Sequence, residues 1–114
     1  MSLFVKDGLT LLPELMDNAT LKSNVFHRPV VGRDEIGRVL GAFETLYRDV
    51  VDIERATTPA RELIISCATL PSGQRTTITI VGLRDSEGWI QTVLMTHEPQ
   101  PAVDELARDT AQLI

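Results

Sequence analysis

Little in this sequence advertises chemistry. A single cysteine, Cys67, in 114 residues leaves no partner for an intrachain disulfide and no Cys-x-x-Cys pair for metal or redox work. Two histidines, His27 and His97, stand 70 positions apart with no carboxylate at ligand spacing, so no metal and no other cofactor is expected. Basic residues are scarce as well. The 11 Lys and Arg face 16 Asp and Glu, a net charge of −5, which is the wrong sign for a phosphate-backbone binder, so nucleic acid is not an expected partner. No apolar run approaches the roughly 20 residues that a membrane-spanning helix needs. The opening MSLFVKDGLTLLPEL carries no basic segment followed by a long apolar stretch and cleavage site, and the expected compartment is the cytoplasm, away from membranes. Also missing are Gly-x-Ser-x-Gly, Gly-x-Gly-x-x-Gly, a phosphate loop and His-Glu-x-x-His. Asn18-Ala19-Thr20 matches a glycosylation sequon, which has no meaning without secretion.

What is present is the composition of one ordinary globular domain spanning 1–114, with 43% hydrophobic and 24% charged residues, long enough to bury about two-thirds of its unfolded surface. The strongest local signal runs from Gly32 to Asp49. Ile36, Val39, Leu40, Phe43, Leu46 and Tyr47 recur at helical spacing, Gly32 stands at the N-cap, Asp34 and Glu35 occupy the first turn, and Arg48 the last. Gly37 and Gly41, four apart, suggest close packing against that side of the helix. Upstream, Leu9, Leu12, Leu15 and Met16 suggest a short helix around Pro13 that ends at Asp17-Asn18, followed by a strand over Thr20–Phe26.

Downstream, Val50–Glu54, Glu62–Leu70, Arg75–Leu83 and Trp89–His97 read as strands rich in Ile, Val, Thr and Leu, broken at Thr58-Pro59, Pro71-Ser72-Gly73 and Asp85-Ser86-Glu87-Gly88. Links this short make the strands antiparallel neighbours. Pro101, Asp104 and Glu105, with Val103, Leu106, Ala107 and Thr110 at helical spacing, mark a C-terminal helix. The fold class is therefore α+β, with helices on one face of a curved antiparallel sheet. In Arg75–Leu83 one face shows Thr77, Thr79, Val81 and Leu83 and the other Thr76, Ile78, Ile80 and Gly82, so neither is plainly polar. Both faces should be covered, one by the long helix and the other by a second copy of the chain, making a homodimer.

Several single residues stand out. Cys67, mid-strand among Ile64, Ile65 and Ala68, reads as a buried thiol of low reactivity rather than a nucleophile. Trp89 is either an edge aromatic or one wall of a ligand pocket. Tyr47 reads as a core residue with a satisfied hydroxyl, or as a proton donor. His97, at a strand end before Glu98-Pro99, reads as a solvated rim residue. Arg28 either closes a loop or meets an anion.

The stretch Thr20–Ile36 (TLKSNVFHRPVVGRDEI), the acidic turn Arg84–Ile90 (RDSEGWI) and Met95–Pro101 (MTHEPQP) resemble the nuclear-transport-factor-two-like superfamily, particularly SnoaL-like proteins. That superfamily pairs a strand and a Pro-containing loop with Gly-Arg and a helix. Here the arginine of its strand-end Arg-Pro exit is replaced, and the N-terminal part is short for its first long helix. The resemblance implies a cystatin-like cone, a strongly bent sheet around a helix with an apolar pocket inside, dimerising through the outer sheet face. It also implies a choice among ketosteroid isomerases, polyketide cyclases, epoxide hydrolases and binding modules. The isomerase base would fall at Ser23 and its second carboxylate at Ile80, and neither residue can do that work. The epoxide hydrolase's Asp-Arg-Asp group has no counterpart in Thr76–Gly82. The expected function is thus a small apolar-ligand-binding or dimeric scaffold protein, with Ser23, Tyr47, Cys67, Ile80, Trp89 and His97 as pocket candidates. The alternative is a cyclase- or isomerase-type enzyme on an apolar carbonyl compound, using Tyr47 or His97 with ordered water.

Overall fold

A computed structural model describes residues 5–6, 9–10 and 12–113. The remainder of the opening segment, on which the reading for a leader rests, lies outside the described residues. Two short strands, β1 (Val5–Lys6) and β2 (Leu9–Thr10), pair with each other. A 3-10 turn over Leu12–Glu14 then leads into β3 (Leu15–Ser23), β4 (Val30–Val31) and helix α1 (Arg33–Leu46). Strands β5 (Arg48–Thr57), β6 (Arg61–Thr69), β7 (Arg75–Arg84) and β8 (Ile90–Glu98) follow, and α2 (Gln100–Leu113) closes the chain. The large sheet has the order β4-β3-β8-β7-β6-β5.

The β5 to β8 meander is antiparallel throughout, as its short turns require. The first strand departs from expectation. β3 lies parallel to β8, with Leu21 opposite Val93 and Ser23 opposite Met95, so the whole sheet is mixed rather than purely antiparallel. The short helix expected over Leu9–Met16 shrinks to the 3-10 turn, and β3 already begins at Leu15. Burial decides the matter, since Leu15, Ala19 and Leu21 reach the core and an extended chain is what lets them do so against β8. The turn-prone Asp17-Asn18 falls inside the strand, where pairing slips between Leu15 and Thr20. This is a bulge rather than a chain reversal.

Helix α1 follows the sequence stripe. Ile36, Val39, Leu40 and Phe43 are buried, and Gly32 caps the start with φ of 101° while its N–H donates to the Ala19 carbonyl (2.8 Å). Any side chain would be strained at that backbone angle. The helix ends at Leu46, so Arg48 belongs to β5, but its guanidinium still donates to the Thr45 and Tyr47 carbonyls (2.7 and 3.1 Å) and satisfies the helix end from outside. The close approach expected at Gly41 is absent: a Cβ there would meet nothing within 4 Å. α2 buries Ala102, Val103 and Leu106. Its Glu105, also buried, accepts from the Ser72 N–H (3.1 Å) and the Ser72 hydroxyl, which latches the helix to the β6–β7 turn.

Both helices lie on one face of the sheet. Along β7 the inward positions Thr76, Ile78, Ile80 and Gly82 are buried, whereas Thr77, Thr79, Val81 and Leu83 on the outer face are only half-covered. The outer face continues through Leu63, Ile65 and Cys67 to the exposed Val51 and Leu94. Edge strand β5 carries two register irregularities and the exposed Arg48, Asp49 and Glu54, features that discourage edge-to-edge pairing with other chains.

Candidate functional site

Three polar side chains of the inner face, those of Asp52, Ser66 and His97, fall on one register row. Asp52 on β5 stands opposite Ser66 on β6, Ser66 opposite Ile78 on β7, and Ile78 opposite His97 on β8. At about 4.8 Å per strand the row spans roughly 14 Å from Asp52 to His97 along the sheet. Each of the four side chains points toward the helices because strand alternation puts it on the face that holds the core.

At one end of the row sits a histidine with aromatic walls. The Tyr47 hydroxyl, delivered by the residue that ends α1, lies 2.6 Å from Nε2 of His97. Phe43 meets the imidazole edge-on, with ring centroids 5.2 Å apart, and Phe26 stacks on Phe43 at 5.8 Å. The His97 backbone is pinned by Asn24, whose Nδ2 donates to the His97 carbonyl (2.8 Å) and whose Oδ1 accepts from its N–H (3.0 Å). His97 is 1% exposed, a correction to its reading as a solvated rim residue. The strand end is covered because α1 and the Asn24 loop close over it.

Burial sets the electrostatics of the pair. Because burial withdraws the water that would solvate a cation, the His97 pKa falls from 6.5 to about 4. Burial, with the charge of Glu44 adding to it, raises the Tyr47 phenol well above its ordinary value. Both groups are neutral near pH 7. Among the described residues His97 Nδ1 has no hydrogen-bond partner. If the imidazole hydrogen sits on Nδ1, that N–H lacks an acceptor; if it sits on Nε2, the tyrosine O–H lacks one. Among the described residues the pair is thus one acceptor short in either tautomer. Chemically it can donate one hydrogen bond to a small acceptor, and it cannot supply a charge at neutral pH.

The other end of the row is ionic. Asp52 accepts from the Ser66 hydroxyl (3.0 Å) and from Nε of Arg55 (2.7 Å). Toward the opposite rim, the buried Glu62 accepts from the Thr57 hydroxyl (2.9 Å) and from Arg84, which also bonds Glu14 (3.0 Å). Sequence reasoning singled out neither carboxylate. Asp52 and Arg55 carry an i, i+3 spacing that means nothing on a regular strand. Only the irregularity between Asp52 and Glu54 brings them to one side. No group of three or more His, Cys, Asp or Glu among the described residues is placed to hold a metal.

The six candidates from the sequence separate in space. Tyr47 and His97 come together, and Ile80 lies in the same core, 1% exposed. Ser23 stands at the inner rim opposite Met95, its hydroxyl accepting from the Val25 N–H (3.1 Å). Cys67 faces outward, its thiol 3.8 Å from the Thr77 hydroxyl. Trp89 is 46% exposed and lies beside a surface pocket of about 570 Å³ at the β7–β8 turn, whose lining includes none of the other five. Arg28 and His27 lie on the exposed loop after β3. No described helix is long and apolar enough to cross a membrane.

No protein-family model and no curated protein matches the sequence. Solved structures do match the fold. An uncharacterised protein with a cystatin-like fold from Silicibacter pomeroyi superposes with a TM-score of 0.81 at 13% identity, over 90% of this chain and 72% of that one. A steroid delta-isomerase from Pseudomonas aeruginosa gives 0.79 at 15% identity, over 90% and 75%. A nuclear-transport-factor-two-like protein of unknown function from Mesorhizobium loti gives 0.65 at 14% identity, over 78% and 75%. A six-stranded sheet curved around α1, parallel only where its first long strand meets its last, is thus a cystatin-like fold, the fold that the sequence resemblance implied.

Proposed function

We propose that this chain is a homodimeric scaffold and small-molecule-binding protein rather than an isomerase or epoxide hydrolase. The observation that supports it best is the outer sheet face. Leu63, Ile65, Val81 and Leu83 are only half-covered there, Val51 is 57% exposed and Leu94 37% exposed. An apolar sheet face of this kind is stabilised by burial against a self-complementary copy related by a two-fold axis. Light scattering at micromolar concentration should give the mass of two chains, and Ile65→Glu should give the mass of one, because a carboxylate at the centre of the face would be buried unpaired. A single-chain mass for the unaltered protein sinks the proposal.

The same reading expects none of the superfamily's known chemistry, on different residues. Ser23 spends its hydroxyl on the Val25 N–H, Ile80 is aliphatic, and the inner-face carboxylates of Asp52 and Glu62 are both tied to arginine. General acid–base groups contribute about 10²–10⁴-fold each. Steroid enones should therefore not be isomerised, nor simple epoxides opened, above trace rate.

A second reading, a cyclase- or isomerase-type enzyme on an apolar carbonyl compound, is favoured by one observation: the buried Tyr47–His97 pair holds one hydrogen-bond donor without an acceptor. A carbonyl oxygen would complete it. Turnover of a carbonyl substrate that Tyr47→Phe abolishes would establish this reading and displace the first.

A further inference from the structure

Trp89 is the single tryptophan of the chain, and nearly half of it stands in solvent. Its position is not left to chance. The β7–β8 turn is tied by Asp85, whose Oδ1 accepts from the N–H groups of Glu87 and Trp89 (2.9 Å each), while the Asp85 N–H donates to the Trp89 carbonyl (2.8 Å). Arg84 adds a hydrogen bond to the Gly88 carbonyl (2.7 Å), and Gly88 takes a φ of 91° that closes the turn. The backbone that carries the indole is thus hydrogen-bonded in place beside the pocket of about 570 Å³, a size that suits a small molecule.

The walls of that pocket are of two kinds. Leu15, Met16 and Trp89 supply an apolar floor and an aromatic face, while Asp17, Asp85 and Glu87 supply three carboxylates. Among the described residues the cation on the wall is Arg33, which donates to the Pro13 carbonyl (2.8 Å) and lies 3.5 Å from Asp17. Its charge leaves the pocket an excess of acid. The electron-rich face of an indole attracts a cation, most strongly where carboxylates stand near it, and the net charge of −5 on the chain draws cations toward the surface as a whole.

We infer that this pocket binds a small organic cation, a quaternary ammonium or protonated amine on an apolar body, with Trp89 and the carboxylates of Asp17 and Glu87 holding the head group and Met16 the body. The inference deepens the reading of the chain as a binding protein. It stands or falls apart from the dimer, which is read by mass.

Because the chain has one tryptophan, its emission reports the site directly. The full chain is titrated with three hexyl probes that differ only in head group: hexyltrimethylammonium chloride, hexanol and sodium hexanoate. The expected result is a saturable change of Trp89 emission with the ammonium, at least about tenfold weaker or absent with the alcohol and the carboxylate. The double variant Asp17→Asn, Glu87→Gln changes two exposed side chains and should weaken the ammonium by about tenfold, with far-UV circular dichroism and Tm unchanged. Amide shift changes in the unaltered protein should cluster at residues 15–18 and 85–89. No saturable change with the ammonium, an equal response to hexanol, undiminished binding by the double variant, or shifts clustered elsewhere would each overturn the assignment.

Discussion

Replacing Phe43 by alanine should lower the unfolding free energy by about 3–5 kcal/mol, the range for a large aromatic side chain removed from a packed core. Phe43 is 0% exposed, and its ring is the hub of the aromatic group, stacked on Phe26 at 5.8 Å, tilted against Tyr47 at 6.3 Å and edge-on to His97 at 5.2 Å. Truncation loses the transfer of the ring out of water. It also leaves a void that α1 cannot collapse into, because Ile36, Val39 and Leu40 already hold the helix against the sheet. A domain of this size has roughly 5–15 kcal/mol in total, so Phe43→Ala removes a large share of it. Urea unfolding followed by circular dichroism measures the loss, and a value below about 1 kcal/mol would mean that another face of α1 carries the core.

The second large effect is a dependence on pH. His97 has a pKa of about 4 in the folded chain against 6.5 when unfolded, so between those values the unfolded chain binds the proton and the folded chain does not. Its contribution is therefore complete above about pH 6.5, is lost as pH falls toward 4, and changes no further below that. The total loss is about 3 kcal/mol. Other groups titrate in the same window, and the useful quantity is the difference between the unaltered protein and His97→Gln, which has no imidazole to protonate. Urea midpoints taken from pH 7.5 down to 4 should show the advantage of the unaltered protein shrinking by about that amount. Parallel curves for the two proteins would contradict it. The exposed His27 is common to both and cancels.

The two effects share a location, and that location was only half legible in the amino-acid order. Phe43 and Leu40 can be placed in the core from the helical stripe, since periodicity is a property of neighbours in the chain. Tyr47 reads equally well as the last residue of that stripe. That its hydroxyl would find His97, 50 positions away, depends on how α1 lies across β8. The Asn24 clamp reaches 73 positions. Asp52 and Ser66, 14 positions apart, meet because β5 and β6 pair in the register that sets them opposite each other.

By itself, the sequence determined whatever depends on short range: α1 from its stripe and caps, α2 from Pro101 and its spacing, the antiparallel β5 to β8 meander from turns too short for any crossover, and the half-apolar character of both strand faces. Local sterics and hydrogen bonding settle these within a few residues. Tertiary structure decided three matters that hydrophobic burial, acting between distant segments, had to arbitrate. It started the strand at Leu15, where Pro13 and the leucines suggested a helix, and laid it parallel to β8. It turned His97 inward and Cys67 outward, since the register of a whole sheet chooses the face on which each side chain lies. And it set Trp89 beside three carboxylates from two parts of the chain, because only folding brings the start of β3 against the β7–β8 turn.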